Sequence, residues 1–227
     1  MSALVEVRGA ARTFGTGDTA RVALRETDCE VQPAARIALM GPSGSGKSTL
    51  LHLMAGLDEP SVGTVTWPGI GDRDELRPGP ISIVFQGPSL LPAMSVLENV
   101  ALPLILGGVS DEGARARAAD SLERLDLTDL AAKLPEEISG GQAQRVAISR
   151  ALAGEPKLIL ADEPTGQLDH DIGTTVIDAL LAAADHAGSG LLISTHDPAI
   201  ADRFPTRWLM ADGELSAPAA APLPMEV

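Results

Sequence analysis

The run Gly41-Pro42-Ser43-Gly44-Ser45-Gly46-Lys47-Ser48-Thr49 constrains this chain more than any other stretch. An apolar segment, 37–40, leads into it, and Leu50, Leu51, Leu53 and Met54 follow at helical spacing before Gly56. A strand, a glycine loop and a helix in that order make an anion site. Glycines adopt backbone angles that other residues avoid, so the main chain can wrap a phosphate closely. Amides of the first helical turn point at the anion, and the helix dipole adds to their field. The spacing G-x-x-x-x-G-K-[ST] sends Lys47 to the β- and γ-phosphates of a nucleotide and the Ser48 hydroxyl to Mg²⁺.

A second apolar segment, 158–161, ends in adjacent carboxylates, Asp162 and Glu163. Alone, such a pair reads as a solvated turn. Beside a phosphate loop it supplies what phosphoryl transfer needs. Asp162, at the strand tip, is expected to hold Mg²⁺, directly or through water, and Glu163 to face the attacking water. Neighbouring carboxylates can divide such roles when their surroundings differ.

Composition narrows the remaining classes. At 227 residues the chain suits one large domain or a domain with a subdomain. Aromatic residues are 2% of the chain, so Leu, Ile, Val and Ala must build the core. The formal net charge of −14 speaks against a general nucleic-acid binder, which needs a basic face, but leaves room for a local anion site made by amides. Cys29 is the only cysteine and reads as an inert small residue, with neither an internal disulfide nor a thiolate metal cluster to join. No apolar stretch is long enough for a leader or a membrane span, so a cytoplasmic chain is expected.

The segments alternate in character. The opening residues read as short strands and turns, 58–80 as short strands on a small sheet, and 81–85 as a strand. Ser95 and Glu98 form a Ser-x-x-Glu box that starts a helix, which Pro103 and the Gly107-Gly108 pair are expected to break. Residues from 111 are Ala/Arg/Glu-rich and helical. Ser139 and Gln142 form a second box ahead of a helix to about 152. Segment 158–161 reads as a strand, and apolar residues from Ile172 to Ala184 mark a helix ended by Gly188. Segments 191–194 and 208–211 read as further strands. The expected architecture is α/β: a P-loop NTPase core with a small antiparallel β subdomain (1–86 and 140–215), a helical insertion (87–139) and an Ala/Pro-rich tail (216–227).

These motifs occur in the order found in the ATP-binding cassette (ABC) ATPases, which the chain resembles over nearly its whole length. The resemblance rests on Gly41–Ser48, Gln86, Ser139-Gly140-Gly141-Gln142, the 158–163 strand, Leu168-Asp169 and His196. Ser-Gly-Gly-Gln sets this family apart from other P-loop NTPases. It implies that Gln86 touches Mg²⁺ and the water, and that its loop senses a transporter. It implies that Ser139–Gln142 offers a helix N-terminus to the γ-phosphate of ATP held by a second protomer, with Asp169 at the same seam. A head-to-tail dimer around two ATP follows. His196 is implied to face the γ-phosphate and the water, while His52, His170 and His186 read as structural or solvated, His170 bordering the seam. An aromatic residue upstream of the loop usually stacks on adenine; the chain has no Tyr, and Phe14 is the candidate.

The stretches 90–104 and 161–169 further resemble the ATPases that serve lipoprotein release and macrolide or antimicrobial-peptide export. The resemblance thus implies a cassette driving a transmembrane permease on a separate chain, and a peripheral position at the inner face of the membrane. Leu90, Leu91, Met94 and Leu97 read either as core or as an edge for that permease. An ABC ATPase acting in signalling or on nucleic acid is the alternative.

Overall fold

The computed structural model describes residues 2–216 other than 167 and 169, and at 170 and 171 the backbone alone. Asp169, the side chain of His170 and the tail beyond Ser216 therefore lie outside the described residues. Strands β1 (Val5–Phe14) and β2 (Arg21–Val31) form a long antiparallel hairpin. Strand β3 (Arg36–Met40) runs into the glycine loop and helix α1 (Lys47–Met54). The chain returns through β4 (Val62–Thr66), which pairs antiparallel with β1, so the first sheet has the order β2-β1-β4. Segment 58–80 contributes only this one strand, largely exposed, among turns. Pro60, Pro68, Pro78 and Pro80 withhold the amides that a wider sheet would need.

After β5 (Ile81–Val84) come three helices, α2 (Val96–Leu106), α3 (Asp111–Glu123) and α4 (Gly140–Leu152). Strand β6 (Leu158–Asp162), helix α5 (His170–Ala187), strand β7 (Gly190–Thr195), helix α6 (Pro198–Ala201) and strands β8 (Thr206–Ala211) and β9 (Glu214–Ser216) complete the chain. The second sheet has the order β5-β6-β7-β3-β8-β9, parallel except for β9.

Side chains alternate across each central strand, so one apolar run feeds two cores. Ile37, Leu39, Leu158, Leu160 and Leu192 face a core shared with α1 and the β1–β2 hairpin. Ala38, Ile159, Ala161, Leu191 and Ile193 face the other core, shared with α2, α3, α4 and α5. Helix α1 is thus held between two sheets, with Leu50, Leu51, Leu53 and Met54 all buried. The Trp67 indole N–H donates 2.7 Å to Met54 O and fixes the C-terminal end of α1.

Pro103 does not break its helix, which continues to Leu106. Val100, Ala101 and Leu104 lie on the buried stripe, whereas Pro103 sits on the half-exposed side. Burial of that stripe outweighs the one backbone bond the proline forfeits. The helix starts as its capping box requires: Ser95 Oγ accepts from Glu98 N, and Glu98 accepts from Ser95 N at 2.9 Å. Of the four residues read as core or edge, Leu90 and Leu97 pack on the core, Met94 is half-buried, and Leu91 stays 43% exposed.

Candidate functional site

The glycine loop is locked by backbone on two sides. A Cβ on Gly41 would lie 2.1 Å from Met210 O, and one on Gly46, whose φ is +105°, would lie 2.4 Å from Ala23 O. Neither position admits another residue, because β8 and β2 press on the loop directly. Gly213 ties these neighbours together: its N–H donates 3.0 Å to Ser45 O, and its carbonyl accepts from Arg25 N at 2.8 Å. At Gly44 a Cβ would meet open space, so the loop is unobstructed on that side. Pro42, Ser43, Gly44 and Ser48 are exposed and Gly41 and Thr49 half-buried, whereas Ser45 is buried. Ser45 Oγ has no hydrogen-bond partner among the described residues.

Lys47 starts α1 and is 5% exposed. Its ammonium donates to Gly41 O at 2.8 Å and Pro42 O at 3.1 Å, curling over its own loop. It also lies 3.3 Å from Glu163 Oε1. A buried ammonium needs such partners to offset the loss of water.

Asp162 and Glu163 sit at the tip of β6, as expected, and are held there by a residue the sequence reading passed over. Ser194 is Asp162's register partner on β7 and is fully buried. Its hydroxyl donates 2.6 Å to Asp162 Oδ1 and accepts from Glu163 N at 2.9 Å. The signal was there: a hydroxyl closing an otherwise apolar strand, where a buried polar group must find a partner. Glu163 itself has φ of +44°, a backbone region in which non-glycine residues are uncommon and strained.

Other expected residues converge on the same carboxylate. His196 Nδ1 lies 3.6 Å from Glu163 Oε2, a charge-pair distance rather than a hydrogen bond. A Cβ built on Gly166 would be 3.5 Å from Glu163 Oε2 and 3.6 Å from Gln86 Nε2, so Gln86 and Glu163 approach the same turn. Glu163, Thr165, Gly166, Leu168, Thr195, His196 and Asp197 line a cleft of about 250 Å³.

The Ser139–Gln142 segment forms the N-terminus of α4. Ser139 Oγ accepts from Gln142 N at 3.3 Å while Gln142 Oε1 accepts from Ser139 N at 2.9 Å, which completes the cap of α4. Ser139 and Gly140 are exposed, and a Cβ built on Gly141 would lie 3.5 Å from Ile172 and 3.8 Å from Leu168. Two further residues of α4 reach the loop of Gln86. Buried Gln144 donates 3.1 Å to Phe85 O, and Arg150 donates to Ser89 O and Pro88 O at 2.9 and 3.2 Å. Phe14, at the end of β1, is 45% exposed, with the Arg12 guanidinium carbon 4.6 Å from its ring centre.

Fold and site together define an α/β protein that binds nucleotide phosphates and opposes a carboxylate to the loop lysine. Comparison with known proteins takes this further. The family described as ABC transporter matches residues 24–166. An uncharacterized ABC transporter ATP-binding protein of Mycobacterium tuberculosis is 44% identical over 204 residues, covering 87% of this chain and 82% of the relative. The lipoprotein-releasing system ATP-binding protein LolD of Shewanella sp. (strain MR-4) is 40% identical over 221 residues, covering 94% and 96%. Among solved structures, the dimeric post-hydrolysis state of the ATP-binding cassette MJ0796 bound to ADP and Pi superposes with a TM-score of 0.85 at 36% identity, covering 94% of this chain and 98% of that one. This chain belongs to the ABC transporter family, as its ATP-binding and ATP-hydrolysing subunit.

Proposed function

We propose that the convergence of Lys47 and His196 on Glu163, with Gln86 at the same turn, marks the hydrolytic centre for ATP. The ammonium and the imidazole lie beside one carboxylate next to the glycine loop, and the Gln86 amide approaches Gly166 as that carboxylate does. In this reading Gly41, Pro42, Ser43, Gly44, Ser45, Gly46, Lys47, Ser48 and Thr49 cradle the phosphates, and Phe14 stacks on adenine. Glu163 orients the attacking water and takes its proton, and His196 hydrogen-bonds the γ-phosphate as charge develops there.

Ser48, Gln86 and Asp162 would hold Mg²⁺. The donor set fits: all three offer oxygen, and a small hard cation takes few protein ligands while keeping water and phosphate oxygens. Among the described residues there is no group of three His, Cys, Asp or Glu that could cage a metal alone, which agrees with a cation shared with the nucleotide. Bound there, Mg²⁺ would neutralise charge on the β- and γ-phosphates.

The exposed N-terminus of α4 supports a two-chain site. Ser139, Gly140, Gly141 and Gln142 would meet the γ-phosphate held by a second copy, with Asp169 at the seam. The MJ0796 cassette is dimeric in its solved structure. The organisation follows as an ATP-binding core with its antiparallel sheet (1–86 and 140–215), a helical subdomain (87–139) and a tail (216–227). Among the described residues no helix is long and apolar enough to cross a membrane, so the work of closure would pass to a permease on another chain at the inner membrane face. LolD relatives are named for a lipoprotein-releasing system, which favours export or extraction of lipoprotein, peptide or drug-like cargo here. The net charge of −14 weighs against the alternative of action on nucleic acid.

Glu163→Gln tests the centre. With Mg·ATP it is expected to bind nucleotide, lose turnover by about a thousandfold or more, a loss on the scale of an essential catalytic group, and elute as a dimer in size-exclusion chromatography. Hydrolysis at the parental rate would remove Glu163 from its role.

A further inference from the structure

Phe14 does not stand alone at the end of β1. Arg12, two residues earlier, lays its guanidinium over the ring, 4.6 Å from the centroid. That guanidinium is itself fixed side-on by a carboxylate. Arg12 Nε donates 2.9 Å to Asp58 Oδ2, and its terminal Nη2 lies 2.7 Å from Asp58 Oδ1. Both side chains are about a quarter exposed, so the pair is sheltered and two-pronged.

Asp58 is in turn keyed to the helix that follows the phosphate loop. Its N–H and that of Leu57 both donate to His52 O, at 3.3 and 2.9 Å. The same turn grips β1 twice more: Ser61 N donates 2.7 Å to Ala11 O, and Thr13 N donates 3.1 Å to Ser61 Oγ. On the other side Phe14 pairs with Arg21 of β2. Two residues further along β2, about 7 Å at the rise of a strand, Ala23 O abuts Gly46 of the loop. The ring is therefore held at a set distance from the phosphate cradle through α1, Asp58 and Arg12.

We propose that Arg12, clamped by Asp58, is a positioning residue for the purine base: it backs one face of Phe14 and so leaves the opposite face as a preset platform for adenine. This rests on the reading of Phe14 as the adenine-stacking residue. A phenyl ring has no hydroxyl with which to anchor itself, and a cation on its face supplies the anchor through the ring's quadrupole. Holding the ring in its bound orientation removes an ordering cost from nucleotide binding.

The test compares Mg·ATP with inorganic triphosphate, which has phosphates but no base, by calorimetry on the full chain. Arg12→Ala and Asp58→Asn are each expected to weaken Mg·ATP binding about fivefold, the scale of a partly desolvated cation–π contact, and to raise KM with little change in kcat. Triphosphate affinity is expected to stay the same, and in a Phe14→Ala background the Arg12→Ala effect is expected to vanish. Equal weakening of ATP and triphosphate, or an Arg12→Ala effect that persists without Phe14, would overturn the positioning role while leaving the platform intact. Unchanged ATP affinity in Phe14→Ala alone would overturn the platform and the proposal with it.

Discussion

Lys47 Nζ lies 3.3 Å from Glu163 Oε1, with the lysine 5% and the glutamate 19% exposed. The two come from opposite halves of the chain, and the parallel sheet brings them together by placing β3 beside β7 and β7 beside β6. The loop proposed to bind phosphate and the carboxylate proposed to activate the attacking water are thus set by one sheet, not by a flexible segment. Lys47→Ala is expected to weaken Mg·ATP binding at least a hundredfold, about 3 kcal/mol, because charge-assisted contacts to phosphate carry that scale. Calorimetry checks it, and unchanged affinity would remove Lys47 from the phosphate site. Lys47→Arg is not expected to rescue, since a planar guanidinium cannot occupy the space between two loop carbonyls and a carboxylate as a compact ammonium does.

Ser194 makes a second prediction. Its hydroxyl bonds both Asp162 and Glu163 and has no access to solvent. Ser194→Ala leaves a half-buried amide and a carboxylate oxygen without that partner, which costs about 1–3 kcal/mol. The urea midpoint is expected to fall with an unchanged slope, and kcat to fall as well, because the strained backbone at Glu163 loses its anchor. A variant as stable and as active as the parent would show that the tip of β6 holds itself.

How much of this could be read from residues alone follows physical lines. The glycine loop, the Asp162-Glu163 tip and the two capping boxes were legible because each is a local device whose geometry is fixed by sequence spacing. Strands 37–40, 158–161 and 191–194 were legible because they are buried on both faces and read as unbroken apolar runs. The length of β1 and β2 was not, since a surface hairpin broken by register shifts lacks a clean period. Pro103 misled because helix interruption is a local rule that tertiary burial overrode. Ser194, Gln144 and Arg12 were missed for one reason: each matters through a partner more than thirty residues away, which only the folded chain brings near.

Helix α4 carries a third prediction. Gln144 and Arg150 hydrogen-bond the carbonyls of Phe85, Pro88 and Ser89, so the helix capped by Ser139 and the loop of Gln86 are joined by side chains. Burial lowers the Arg150 pKa from its ordinary value, a sign that the guanidinium is partly stripped of water and relies on those carbonyls. Arg150→Lys keeps the charge but loses the fork that spans two acceptors. It is expected to destabilise the fold by about 1–2 kcal/mol and slow hydrolysis severalfold, with Mg·ATP affinity changed little. Denaturant melts, calorimetry and single-turnover rates separate these. A fall in nucleotide affinity matching the fall in rate would place the effect at the phosphate loop instead.

Cys29 provides a prediction in pH. It lies on β2 in the core beneath the first sheet, and burial first, then the negative charge of Asp28, pushes its thiol up to about 12 from its ordinary value of 9.0. The native state therefore keeps its proton at pH values where the unfolded chain gives it up. The raised folded value means the contribution to stability is fully present below pH 9 and is lost as pH rises toward 12. The slope in that window approaches about 1.4 kcal/mol per pH unit. Between pH 8 and pH 10 the wild type is expected to lose about 1.4 kcal/mol more than Cys29→Ala, which has no thiol to titrate. Paired denaturant melts at the two pH values measure the difference. The same burial predicts that iodoacetamide at pH 8 leaves native Cys29 unmodified and labels it in denaturant. Parallel pH profiles for the two proteins, or rapid native labelling, would show that the thiol reaches water through opening of the β1–β2 hairpin.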